Sequence, residues 1–200
     1  MPQREYSTAD IKLIEFDESV RHWPGMYFGV TLDDPKLPTD VLIGVIGHAV
    51  HPATHLADPR SPVVRVEILG DLTFSITDDQ LCPAERCRVP ERGYFESLLG
   101  PDRWTLAAAA VVSRRTVVEV WRAGSGLSQE LSGLRPVGSP ESFTASHGRG
   151  TTVTIELDPD CLGANAAITT DIDTLALYHQ DDCGTAAPHQ VTINDRRGGR

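Results

Sequence analysis

Apolar residues recur along this chain at two periods, one helical and one typical of strands. Between Thr39 and Ala53, Val41, Leu42, Val45, Ile46, Ala49 and Val50 fall on one helical face. This predicts a helix over about 39–52, with Thr39 or Asp40 as N-cap behind Pro38. A second stripe on the same helix differs in kind: Gly44, Gly47, His48 and His51 follow one another at helical spacing and share a face. A glycine inside a helix costs roughly 1 kcal/mol relative to alanine. Two of them on one face imply that the space beside them is used, by a packed segment or by a bound molecule.

The strand period takes over after the helix. Residues Val63 to Thr77 alternate around Gly70-Asp71, which predicts a hairpin. A second hairpin is expected from Thr116–Arg122 and Leu127–Gly133 around Ala123-Gly124-Ser125-Gly126, and single strands from Gly148–Leu157 and Gln190–Asn194. Further helices are expected at about 103–114 and at Asp171–Gln180. Thr31–Asp40, His55–Pro62 and the Gly/Pro/Ser-rich stretch after Gly133 read as connections.

Composition narrows the function classes. Two hundred residues suit one domain with a substantial core. A formal net charge of -10 argues against direct nucleic-acid binding, which needs a basic surface, and the cluster Arg196, Arg197 and Arg200 reads as a solvated tail. No run approaches the roughly eighteen apolar residues of a membrane span, so no membrane association and a cytoplasmic location are expected. The four cysteines are too scattered for a disulfide framework, and Cys82 and Cys87 lack a partner pair at zinc-site spacing, so no metal site is expected.

The sharpest local pattern is RHWPGMYFG, Arg21 to Gly29, followed by VLIGVIGHAVHPA. Together these resemble the N-terminal ATPase domain of the DNA gyrase B subunit and its type IIA topoisomerase relatives, of the GHKL class. The resemblance spans nearly the whole chain as one stand-alone domain, residues 1–200. The resemblance implies an N-terminal arm at about 1–12, with neither a transducer nor a DNA-cleavage domain expected. It implies an α+β fold: a two-layer, Bergerat-like sandwich of a mixed, mostly antiparallel sheet, with the helices at about 39–52, 103–114 and 171–180 on one face. In the family the first of these helices carries a Glu that acts as general base and, four residues on, an Asn that holds magnesium. Gly44 and His48 stand in those places, and Gly47 replaces an Asp. Asp78 matches the carboxylate that accepts from the adenine amino group, and Gly150-Thr151 matches a Gly-Thr at the adenine end. Tyr6 matches a tyrosine on an arm that embraces a second subunit, which implies a homodimer through that arm.

The resemblance also marks what is missing. Hydrolysis of ATP needs a base, a magnesium ion and donors around the transferred phosphate. Gly44 supplies no base, His48 is a poor ligand for magnesium, and Asp102–Ser113 stands where the family has a glycine-rich phosphate cradle. ATPase and topoisomerase activity are therefore not expected and no cofactor is called for, although the resemblance leaves ATP binding itself open. What is expected is a roomier, less anionic pocket lined by Gly44, Gly47, His48, His51, Asp78, Gly150 and Thr151, with Tyr94, Phe95 or Trp104 from a shortened lid. Such a lining suits a small, largely apolar ligand, a purine or another molecule, in a binding or regulatory module. One alternative is a repurposed enzyme, as in secondary metabolism, in which His48, oriented by Asp78, acts as acid or base. The other is a weak ATP-binding or ATP-hydrolysing gyrase B homologue.

Overall fold

A computed structural model describes residues 13–50, 63–79, 93–145, 148–172 and 191–198. Its frame is a mixed sheet of eight strands. The strands are β1 (Val64–Gly70), β2 (Thr73–Asp78), β3 (Ser113–Arg122), β4 (Ser125–Ser132), β5 (Arg135–Pro136), β6 (Glu141–Thr144), β7 (Arg149–Leu157) and β8 (Val191–Asp195). Their order is β5-β4-β3-β7-β2-β1-β8, with β6 also paired to β4. Among the described strands only β8 runs parallel to its neighbour β1; every other pairing is antiparallel.

The alternation along the strands assigns the two faces. Val64, Val66 and Ile68 of β1, Phe74 and Ile76 of β2, and Val153, Ile155 and Leu157 of β7 are buried. Between them Arg65, Glu67, Ser75, Thr77, Thr152 and Thr154 look the other way and remain half-buried or exposed. On that outer face Thr77 and Thr152, which are register partners, share a hydrogen bond of 2.9 Å between their hydroxyls. One apolar face and one polar face specify a two-layer α+β sandwich, and the helices supply the second layer.

Those helices are α1 (Phe16–His22), α2 (Pro24–Phe28), α3 (Leu37–Ala49) and α4 (Trp104–Val111). The PGMYF segment is α2, opened by Pro24 and closed by Gly29, whose φ of 78° is the left-handed geometry that glycine supplies without strain. Helix α3 buries Val41, Leu42, Val45 and Ile46, and α4 is buried from Thr105 to Val111.

Several boundaries differ from the periodicity. Helix α3 begins at Leu37, because Pro38 is tolerated in its first turn, and Lys36 stands at the N-cap without a side-chain cap. Thr39 is thereby placed inside the helix. Its hydroxyl donates to Ala167 O (3.4 Å) and accepts from Thr169 N (2.9 Å), fastening α3 to the 158–172 loop. The expected 103–114 helix is shorter, since Ser113 already opens β3. The first hairpin turns at Asp71-Leu72 instead of Gly70-Asp71, with Gly70 paired to Thr73. The second turns tightly on Ala123 and Gly124, at φ values of 51° and 90°, as the primed hairpin turns require. The stretch read as a link after Gly133 holds two short edge strands, β5 and β6, both on β4. His51, the arm at 1–12 with Tyr6, and most of the helix expected at 171–180 lie outside the described residues.

Candidate functional site

Two ends of one region matter, and they are built oppositely. At the first end, β2 and β7 lie side by side in a register that sets Asp78 directly opposite Thr151. Both side chains are on the buried face, 2% and 4% exposed. A short 3-10 turn, Pro101–Arg103, then brings Arg103 in at the start of α4, itself only 7% exposed. Its Nη1 donates to Asp78 Oδ2 at 2.7 Å and its Nη2 to Asp78 Oδ1 at 2.9 Å. The same Nη2 donates to Thr151 Oγ1 at 3.2 Å. This is a bidentate, charge-assisted pair with a third acceptor alongside. An arginine here has to be held by its partners, because the N-terminal end of a helix disfavours a cation.

The second end is the glycine face of α3. A Cβ built on Gly44 would meet only Thr105 Cγ2, at 3.8 Å, an ordinary contact, and a Cβ on Gly47 would meet none of the described residues within 4 Å. Among the described residues, no backbone lies close enough to demand either glycine. Beside Gly44, Thr105 of α4 is 4% exposed, yet among the described residues its hydroxyl has no hydrogen-bond partner. His48 lies edge-on to Trp104, ring centres 5.3 Å apart, and Trp104 is 41% exposed and also neighbours Tyr27. An aromatic series continues from Tyr27 through Phe16 to Tyr94. Burial, followed by the nearby Tyr27 and Asp102, pushes the Tyr94 hydroxyl above its usual pKa.

The structure therefore sets Asp78 opposite Thr151, Gly44 beside Thr105, and His48 against Trp104, with Gly47 on the same helix α3. Gly150 is placed differently. It alternates with Thr151 and so belongs to the outer face, where a Cβ would strike the Trp121 ring at 2.4 Å. Glycine is needed there because Trp121 lies across it. Gly126, which sits under Phe143, has the same cause. Phe95, at a left-handed φ of 50°, carries the Arg135 guanidinium 4.0 Å above its ring. Among the described residues no cluster of three or more His, Cys, Asp or Glu is arranged to hold a metal, and no helix is long and apolar enough to cross a membrane. Sequence reasoning missed Arg103 and Thr105. The available signal was one arginine opening an alanine-rich apolar helix, a position where a buried cation needs a carboxylate.

A comparison with solved structures settles the architecture. The B subunit of the DNA gyrase from Myxococcus xanthus superposes with a TM-score of 0.55 at 20% sequence identity, over 76% of this chain and 46% of that one. The fold is similar to that of part of a gyrase B subunit. This gyrase B-like chain thus spans under half the length of the structure it matches. No protein-family model matches the sequence, and no curated protein matches it significantly.

Proposed function

We propose that this gyrase B-like chain is a binding module that no longer turns over ATP and that holds a small, largely apolar molecule on the Gly44/Gly47 face, beside His48 and Trp104. The observation that carries the reading is Arg103. Asp78 and Thr151 are the two residues that the resemblance assigns to adenine, and one guanidinium engages both of them from inside the protein. Ground-state binding of a purine at these anchors would have to displace a bidentate ion pair. At the other end, Gly44 cannot act as a base, and the helix that replaces the phosphate cradle begins with Trp104, Thr105 and Leu106. The pocket is thus unsuited to turnover.

Binding is supported by the space and the chemistry at the α3 face. Among the described residues, two helix glycines are kept where side chains would fit, a buried hydroxyl without a partner stands next to one of them, and a half-exposed indole lies beside His48. Apolar walls with few polar groups are the usual make-up of a small-molecule site.

Two measurements test the proposal. Purified protein with magnesium and ATP should release no phosphate above a buffer control; turnover that disappears in His48→Ala would overturn the loss of hydrolysis. Aromatic fragments screened by NMR should shift the Trp104 indole and His48 imidazole signals, and those shifts should vanish in a folded Gly44→Leu variant. Fragments that bind Gly44→Leu as well as the parent would move the site away from this face.

A further inference from the structure

Arg197 stands in a cluster that composition assigns to a solvated tail, and the structure corrects that expectation. Its side chain is only 13% exposed. Every nitrogen of its guanidinium donates: Nε to the Asp195 carboxylate at 3.0 and 3.1 Å, Nη1 to Ile168 O at 2.6 Å, and Nη2 to Thr169 O at 2.7 Å and Asp195 Oδ2 at 2.6 Å. The two carbonyls belong to residues 167–169, a strap in which every backbone polar group is bonded. Ala167 N donates to Pro35 O (3.3 Å) and Ile168 N to Asp71 O (2.8 Å), while the Ile168 side chain is buried in the core. Thr39 takes the remaining two groups, its hydroxyl donating to Ala167 O at 3.4 Å and accepting from Thr169 N at 2.9 Å. One strap is therefore gripped from one side by the segment that follows β8 and from the other by the first turn of α3. That turn has no side-chain cap, and Thr39 gives it a polar tether. A helix moves as a body, and Gly44 and His48 lie further along it by roughly 8 and 14 Å at 1.5 Å per residue. A shift at the tethered end changes how both stand against Thr105 and Trp104 of α4.

We propose that Arg197 is a positioning residue for the α3 face: oriented by Asp195, it holds the strap against Thr39 and so sets the angle at which α3 presents Gly44 and His48. The inference deepens the proposed binding function and rests on it for the ligand. A lysine cannot take the role, because two carbonyls and a carboxylate are met by the planar fork of a guanidinium and not by a single ammonium.

The test uses the full chain as wild type, Arg197→Met, Arg197→Lys, Thr39→Val and Arg196→Met, each at a temperature where it is folded, with benzimidazole as the aromatic probe. Arg196 is the control, since it carries the same charge beside Arg197 and pairs with Glu67 from an exposed position. Without ligand, Arg197→Met and Thr39→Val should displace the same NMR signals, the Gly44 amide, the His48 imidazole and the Trp104 indole, while Arg196→Met leaves them in place. Both variants should bind benzimidazole about threefold or more weakly, and Arg197→Lys should not restore the affinity. Thr39→Val/Arg197→Met should be no weaker than the weaker single variant, because one strap is released twice. A merely structural arginine would lower the urea midpoint and leave the ligand-free signals and the affinity of the folded protein unchanged. That result, additive losses, or an equal effect of Arg196→Met would each overturn the proposal. Should Arg197→Met fail to fold, Thr39→Val decides through the same signals. Should benzimidazole not bind the wild type, the ligand-free displacements still decide this inference, and the binding function is judged separately by the fragment screen.

Discussion

The Asp78 end and the Gly44 end of this region are built in opposite ways. At Asp78 a side chain comes in: Arg103 lies between two buried polar residues and bonds both. At Gly44 no side chain stands, and among the described residues a buried hydroxyl, Thr105 Oγ1, has no partner. The same short segment does both, since Arg103 and Thr105 flank Trp104 at the start of α4. This helix start closes the Asp78 end and borders the Gly44 face. One end is tight and electrostatically complete, and the other is open.

The largest expected effect tests the tight end. Removing one member of a buried ion pair leaves an uncompensated charge, so Arg103→Met should destabilise the protein by about 3–5 kcal/mol in urea unfolding. Arg103→Met/Asp78→Asn should recover much of that loss, because the charge left behind is removed as well. A cost below about 1 kcal/mol for the single variant would mean that the pair is solvated in solution, and the contrast between the ends would collapse. Thr151→Val sharpens the same point at smaller scale. Its hydroxyl accepts from a charged donor, a bond of a kind worth about 1.5–3 kcal/mol, so a clear loss of stability is expected.

How far the sequence shows this contrast depends on the range of the interactions. The glycine stripe, the hairpins and the helix registers are local, so Gly44, Gly47 and His48 could be placed together from spacing alone. Asp78 and Thr151 came from the resemblance, and the β2–β7 register does set them opposite each other. An arginine opening an alanine-rich helix signals only that a buried cation there would need a carboxylate; which partners it takes was illegible, because they lie 25 and 48 residues away. Edge strands β5 and β6 were missed for a related reason. Pro136, Pro140 and Gly138 give the segment a loop's composition, and pairing with β4 is what makes strands of it. Thr39 was misread as a cap because its partners, Ala167 and Thr169, belong to a distant loop.

The open end should respond in the other direction. Gly44→Ala and Gly47→Ala add a Cβ that meets, respectively, one ordinary contact and none among the described residues. Each should stabilise the protein by about 1 kcal/mol, the helix-propensity difference, measured as a higher urea midpoint with unchanged slope. Destabilisation by either would show that the backbone needs those glycines for close approach, and the space at this end would then be filled.

The smallest effect is the most diagnostic, because it sets two buried threonines against each other. Thr105 and Thr151 are both 4% exposed, but among the described residues only Thr151 has a partner on its hydroxyl. Replacing an unpaired buried hydroxyl by a methyl group of the same shape removes a desolvation penalty and loses no bond. Threonine and valine differ little in helix propensity, so α4 itself should be indifferent to the exchange. Thr105→Val should therefore change stability by about 0–1 kcal/mol in the stabilising direction, while Thr151→Val destabilises. If the Thr105 hydroxyl is kept for a ligand, the fragments that shift Trp104 should bind Thr105→Val more weakly although the fold is at least as stable. Stability unchanged with binding unchanged would make the orphan hydroxyl incidental. A loss of stability comparable to that of Thr151→Val would mean that Thr105 is paired in solution, and the open end would lose its one polar anchor.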